Sequence, residues 1–171
     1  MRIYDPKKVL AAVDFSELSR GVLKVAAEIG ENRNAEVMAI HVARNPDYAA
    51  KYGGYGAELV GTISPSRLLE DTRVELQSNL DVMTKQVESA VPIETLVVFG
   101  EPVKEIVQFA DTGDFDLLVM GTHGHNMVSR FLIGSVSEQV LRRAPCPVFL
   151  LRDKVALKKL EEIEAAEASG D

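Results

Sequence analysis

Residues 9–42 read VLAAVDFSELSRGVLKVAAEIGENRNAEVMAIHV, an apolar run, an amphipathic stretch and a second apolar run. The first run ends at Val13, and Ser16 follows as a suitable N-cap for a helix. Apolar residues then recur on one helical face, and Gly30 and Asn34 are expected to end the helix. The stretch therefore predicts a strand, a helix and a second strand, the repeating unit of parallel sheets.

The rest of the chain continues this alternation, and five strands with four helices predict a one-domain α/β protein with a doubly wound parallel sheet. Such sheets bind ligands beyond the carboxyl ends of their strands, where the strand order reverses. The loops after the first, second and fourth strands are therefore the candidate site. The predicted strands are residues 9–13, 35–42, 93–99, 115–120 and 148–151, and the other helices are expected from about 66 to 90, from 102 and from near 135.

Composition narrows the classes of function. The 171 residues carry 19 Lys and Arg against 26 Asp and Glu, and this net charge of −7 argues against a nucleic-acid-binding surface. No apolar run approaches the roughly 18 residues that span a membrane, and residues 1–8 lack a signal-peptide core. The single cysteine, Cys146, cannot form an internal disulfide. We therefore expect a cytoplasmic protein with one domain at 1–152 and a charged tail at 153–171.

The loop after the fourth strand has features of a phosphate-binding site. Gly121 and Gly124 allow backbone N–H groups to converge, and Gly134 with Ser135 opens a helix. The first N–H groups of a helix lack internal partners, and the helix dipole favours negative charge there. The side chains that could add hydrogen bonds or charge are Ser135, Ser137, His123, His125 and Arg130.

The same residues also allow purely structural interpretations. Ser135 and Glu138 have the spacing of a capping box, and the glycines could serve a tight turn. Asp14 could be a helix cap or form an Asx turn before the first helix instead of contacting a ligand. His123 and His125 could form a metal pair, but the sequence offers no third ligand, so no metal site is predicted.

Several of these residues together resemble the universal stress protein family. Gly121, Gly124, Gly134 and Ser135 fit the spacing G-x2-G-x9-G-[ST] of its ATP-binding signature. The resemblance extends over residues 8–152. The other matching segments are VDFS at 13–16, HV at 41–42, GTHG at 121–124 and APCPV at 144–148.

The resemblance implies the strand order 3-2-1-4-5 and ATP as the ligand, accompanied by Mg²⁺ or Mn²⁺. Residues matching Asp14 and Val42 border adenine and ribose in the ATP-binding branch of the family. The chain departs from that branch at Ala12, where a proline is frequent. The implied nucleotide-binding residues are Ala12, Asp14, Val42, Met120, Gly121, Thr122, His123, Gly124, His125, Asn126, Gly134, Ser135, Val136 and Ser137.

An ATP-binding regulator or sensor of the stress response is the expected function. The sequence lacks a Walker A motif, a G-x-S-x-G nucleophile elbow and a G-x-G-x-x-G after its first strand, and no oriented general base is evident. A slow ATPase or phosphotransferase and a dimeric scaffold with a vestigial site are the alternatives. The resemblance also implies a homodimer joined through the strand at 148–151, which the implied strand order places at a sheet edge.

Two further segments carry expectations. Residues 44–66 are rich in glycine and tyrosine and exceed the roughly 12–15 residues usual for an unstructured loop, so they predict a flap beside the nucleotide. The tail at 153–171 is either a solvated helix or a helix docked on a partner subunit. His41, within the second strand, is interpreted as a buried or half-buried structural histidine.

Overall fold

The computed structural model describes residues 4–44, 65–122 and 134–152. Most of the predicted flap at 44–66, the centre of the predicted phosphate loop and the tail at 153–171 lie outside these residues. The predicted nucleotide-binding residues outside the described ranges are His123, Gly124, His125 and Asn126.

Strands and helices alternate along the described chain. In order they are β1 (Lys8–Val13), α1 (Glu17–Arg33), β2 (Glu36–Ala43), α2 (Pro65–Lys85), β3 (Ile93–Phe99), α3 (Pro102–Thr112), β4 (Leu117–Gly121), α4 (Ser135–Arg143) and β5 (Val148–Leu151). The five strands form one sheet in the order β3-β2-β1-β4-β5, and every neighbouring pair is parallel. The predicted doubly wound α/β fold and its implied strand order are confirmed. No helix in the described ranges has both the length and the apolar character needed to cross a membrane.

Alternate residues of β1 belong to two separate apolar layers. Val9, Ala11 and Val13 pack in the layer that contains α1 and α2 side chains. Leu10 and Ala12 pack in the opposite layer, with side chains of α3 and α4. Because helices cover both faces of this central strand, all five of its residues from 9 to 13 are buried, which explains its unbroken apolar sequence.

The end of α1 corrects one sequence expectation. The helix continues through Gly30 to Arg33, and Asn34 alone ends it, in the left-handed conformation with φ 50°. Gly30 serves packing instead, since a Cβ atom there would lie 2.4 Å from Cγ2 of Val37 on β2. The glycine therefore permits the close approach of helix and strand.

Two other predicted boundaries reach too far. Helix α2 stops before Ala90, whose N–H donates to the Glu31 carboxylate at 2.6 Å instead of to a helical carbonyl. Strand β4 begins after Phe115, whose N–H still donates to the carbonyl of Ala110 near the end of α3. In both places the backbone N–H is already used. Ala90 donates to a side chain distant in sequence, and Phe115 donates to a carbonyl at the end of the preceding helix.

Side chains of α2 cover the outer edge of β3. The N–H of Val97 donates to Oε1 of Gln77, and its carbonyl accepts from Nη1 of Arg73, each at 3.2 Å. The Thr95 hydroxyl donates to Oδ1 of Asp81 at 2.5 Å, and Nε2 of Gln77 donates to both Thr95 and Asp81. These hydrogen bonds from Thr95 and Gln77 lower the pKa of Asp81. The backbone groups of Val97 are therefore satisfied without another strand.

Strand β5 forms the opposite edge of the sheet. The carbonyls of Pro147 and Leu151 accept the N–H groups of Leu118 and Thr122, so the odd-numbered residues of this strand bond toward β4. Because alternate residues of a parallel strand bond to opposite sides, the N–H and C=O of Leu150 point toward the outer edge. The Phe149 side chain beside it is 45% exposed.

Candidate functional site

The carboxyl ends of β1 and β4 define the candidate site. These strands lie side by side at the centre of the sheet, and Ala12 is paired with Met120. The chain leaves β1 toward α1 on one face and continues after β4 to α4 on the other. Adjacent strands whose connections diverge in this way leave a crevice at their carboxyl ends.

Asp14 organises the loop after β1. Its Oδ1 atom accepts the N–H of Ser16 at 3.1 Å, the Ser16 hydroxyl at 2.6 Å and the Ser19 hydroxyl at 3.0 Å. The Asp14 N–H in turn donates to the Ser19 hydroxyl at 3.2 Å. This arrangement is the Asx turn that the sequence left as an alternative. It also corrects the role of Ser16, which occupies the N-cap position but makes no side-chain capping bond.

His41 contacts this loop from the neighbouring strand β2. Its Nδ1 atom lies 2.9 Å from the Val13 carbonyl oxygen, and its ring centroid lies 4.3 Å from that of Phe15. Since a carbonyl only accepts, Nδ1 carries the hydrogen. Burial lowers the pKa of His41, although the Val13 carbonyl and the Asp14 charge act in the opposite direction. The interpretation of His41 as a hydrogen-bonded, half-buried histidine is confirmed.

Two hydrogen bonds attach the beginning of α4 to the end of β4. The N–H of Gly134 donates to the Thr122 carbonyl at 2.6 Å, and the Ser137 hydroxyl donates to the Gly121 carbonyl at 2.8 Å. Thr122 and Ser137 are both buried. The Ser137 hydroxyl hydrogen is therefore used within the protein, whereas the sequence offered it as a donor to phosphate.

The first N–H groups of α4 have no carbonyl acceptor within the helix. Its first internal bond runs from Glu138 N–H to the Gly134 carbonyl, so the N–H groups of residues 135–137 precede the helical ladder. Gly134 occupies the N-cap position, and the capping box of Ser135 with Glu138 is wrong. Glu138 is instead paired with Arg142 at 3.0 Å, one turn along the same helix.

The apolar members of the predicted site share one layer. Ala12, Val42, Met120 and Val136 all pack on the side of the sheet that faces α3 and α4. They lie at or near the carboxyl ends of β1, β2 and β4 and at the start of α4. The structure thus brings an apolar wall and the first turn of α4 to the same end of the sheet.

Sequence reasoning missed two residues that shape the loop after β1, Ser19 in the first turns of α1 and Phe15 in the loop itself. Ser19 is 2% exposed, on the helical face that buries Val22 and Leu23, and a serine among apolar neighbours was the available signal. Phe15 adopts φ 63°, an unfavourable conformation for a residue other than glycine. No feature of the sequence marks that conformation.

Known proteins are similar to this chain over most of its length. A family model described as the universal stress protein family matches residues 6–152. A universal stress protein from Methanocaldococcus jannaschii is 34% identical over 146 residues, which are 85% of this chain and 82% of that protein. The solved structure of another universal stress protein from that organism has a TM-score of 0.71 at 25% identity, covering 89% of this chain and 99% of the other.

A third similarity involves a nucleotide complex. The universal stress protein from Archaeoglobus fulgidus, solved in complex with dAMP, has a TM-score of 0.53 at 26% identity and covers 86% of this chain and 98% of its own. The family match covers all five strands of the sheet described above, and the first relative is aligned with 85% of this chain. The chain belongs to the universal stress protein family.

Proposed function

We propose that this chain binds an adenine nucleotide, ATP, between the loop after β1 and the first turn of α4, and acts as a nucleotide-dependent regulator in the stress response. The observation that carries the proposal is the attachment of α4 to β4 through Thr122 and Gly121. It holds the N–H groups of residues 135–137 at the carboxyl end of the sheet. A helix N-terminus in this position favours a phosphate group.

In the proposed complex, the adenosine part of the nucleotide lies against groups of suitable polarity. The apolar wall that includes Ala12 and Val42 suits one face of a base, and Asp14 supplies a carboxylate for ribose hydroxyls. The dAMP complex of the Archaeoglobus fulgidus relative supports an adenine nucleotide as the ligand class. The proposed ligand-binding set remains the one implied by sequence, including the four residues at 123–126 outside the described ranges, with Mg²⁺ or Mn²⁺ accompanying the phosphates. Ser137 takes part through its backbone N–H, because its hydroxyl hydrogen is donated to Gly121.

Binding is proposed in preference to catalysis because of how Asp14 is held. Its Oδ1 atom accepts three hydrogen bonds, two from Ser16 and one from Ser19. These three hydrogen bonds hold the carboxylate in one orientation. Asp14 therefore suits a fixed acceptor of ribose hydroxyls better than a general base.

We also propose that two copies associate through β5 in the cytoplasm. The outward N–H and C=O of Leu150 offer strand-pairing groups, and the exposed Phe149 side chain offers apolar surface next to them. A two-fold axis at this edge would place the same strand against itself.

Nucleotide carried by the purified protein tests the proposed function. Mass spectrometry of the released ligand should find an adenine nucleotide, and calorimetric titration should rank ATP above AMP and GTP. Ser135→Glu places a negative charge at the first turn of α4 and should weaken ATP binding while the helix dipole preserves stability. Gln139→Glu adds the same charge one turn later as the control. Unchanged ATP binding in Ser135→Glu would contradict the phosphate position.

A further inference from the structure

A histidine near the end of β2 contacts the end of β1 and the loop that follows it. His41 is aligned with Val13, the last residue of β1, in the parallel register. Its Nδ1 hydrogen is donated to the Val13 carbonyl, and its ring packs against Phe15 at an interplanar angle of 47°. The His41 side chain therefore contacts both immediate neighbours of Asp14.

The conformation of this loop requires support. Phe15 is held at φ 63°, where a side chain meets its own backbone, so the loop would relax if contacts did not maintain it. Ser16 and Ser19 hold the Asp14 carboxylate from within the loop and α1. His41 holds the backbone and the ring from the neighbouring strand.

We propose that His41 is a positioning residue of the nucleotide site, which fixes the direction of the Asp14 carboxylate through the Val13 carbonyl and the Phe15 ring. The inference rests on the proposed function, in which the Asp14 carboxylate accepts hydrogen bonds from the ribose hydroxyls. His41 itself needs no contact with the nucleotide. Its imidazole supplies two separable features, a donor at Nδ1 and a flat ring.

Three substitutions separate these features. His41→Asn keeps an N–H donor near the Nδ1 position and removes the ring, His41→Phe keeps a ring and removes the donor, and His41→Ala removes both. We expect roughly tenfold weaker ATP binding for His41→Ala, as for loss of a hydrogen bond with its packing, and partial rescue in His41→Asn. Met38→Ala, also on β2 but near its start and half-buried, is the control for general destabilisation of the sheet.

A structural readout accompanies the titrations. Hydrogen–deuterium exchange over residues 14–19 of the ligand-free protein should be faster in His41→Ala than in the unaltered chain, and unchanged there in Met38→Ala. In an Asp14→Ala background, His41→Ala should add no further loss of ATP affinity, because the group it positions is gone.

The outcomes distinguish this inference from the proposed function. If His41→Ala binds ATP as tightly as the unaltered chain, with unchanged exchange over residues 14–19, the inference is overturned and the nucleotide site stands. An additive loss in the Asp14→Ala background likewise overturns it. If the unaltered chain binds no nucleotide, the proposed function fails, and the inference fails with it even where the exchange measurement finds that His41 orders the loop.

Discussion

The amide nitrogen of Gly134 lies 2.6 Å from the carbonyl oxygen of Thr122, which joins the first residue before α4 to the first residue after β4. This bond sets where α4 begins. It leaves Ser135 as the first helical residue, exposed, and places the buried Ser137 over the Gly121 carbonyl. Two serines separated by one residue thus have different environments and different expected roles.

Substitution of each serine by alanine should separate those roles. Ser137→Ala removes a buried hydrogen bond to Gly121 and should lower the free energy of unfolding by about 1–2 kcal/mol. Ser135→Ala should change stability by less than about 0.5 kcal/mol, because Gly134 is the cap. Ser135→Ala should instead weaken ATP binding more than AMP binding. Denaturant titration and calorimetry measure both effects, and equal losses for the two nucleotides would speak against a contact to the outer phosphates.

Acid should destabilise the fold partly through His41. Burial lowers the pKa of its imidazole from the ordinary value of 6.5, so the folded chain binds fewer protons than the unfolded chain in mildly acidic solution. Its contribution to stability is therefore present above about pH 6.5 and is lost as the pH falls toward the folded-state pKa. The free energy of unfolding can be measured from about pH 7.5 down to about pH 5. Over this range it should fall less steeply in His41→Asn than in the unaltered chain. Parallel curves for both proteins would refute this assignment.

Two glycines of α1 should respond differently to alanine. At Gly30 a Cβ atom would lie 2.4 Å from Cγ2 of Val37, whose β-branched side chain is stiff, so Gly30→Ala should cost about 1–3 kcal/mol. At Gly21 the close atom is Cδ2 at the far end of Leu151, 2.8 Å away, which can rotate aside. Gly21→Ala should therefore be near neutral, helped by the higher helix propensity of alanine. Equal thermal stabilities of the two variants would show that the packing argument is wrong.

Association through β5 should depend on the outward N–H of Leu150. Leu150→Pro removes that donor without removing a bond to β4, and should give a monomeric mass by light scattering where the unaltered chain is dimeric. Leu150→Ala keeps the N–H and loses most of the side chain, so it is the matched control and should remain dimeric. A monomeric unaltered chain at micromolar concentration would remove the proposed dimer altogether.

The fold could be predicted because its signals are local. The apolar run at 9–13 and the first-turn proline Pro102 of α3 each indicate an element by themselves, and their alternation fixes the class of sheet. Where the predictions were wrong, the deciding contact is one that hydrophobic periodicity and motif spacing do not reveal, whether it is near or distant in sequence. Gly30 looked like a helix end because the sequence does not reveal how closely Val37 approaches it.

The candidate site could be predicted in part for the same reason. The glycines and serines at the start of α4 mark a helix N-terminus, but S-x-x-E spacing is the same whether Ser135 or Gly134 is the cap. The bond from Gly134 to Thr122 decides between them and joins residues that only the folded sheet brings together. The contact of His41 with Val13 spans 28 residues and is equally invisible in a linear motif.

The α2 side chains that bond to β3 oppose the addition of another strand at that edge of the sheet. A molecule with two unsatisfied strand edges can add copies at both ends without end, as a fibre does. Here Arg73 and Gln77 already satisfy the outward backbone groups of Val97 on β3, whereas the outward N–H and C=O of Leu150 on β5 are the pairing groups of the proposed dimer. An added strand would have to displace these side chains to pair with β3 at Val97, whereas pairing of two copies through β5 would give a ten-stranded sheet.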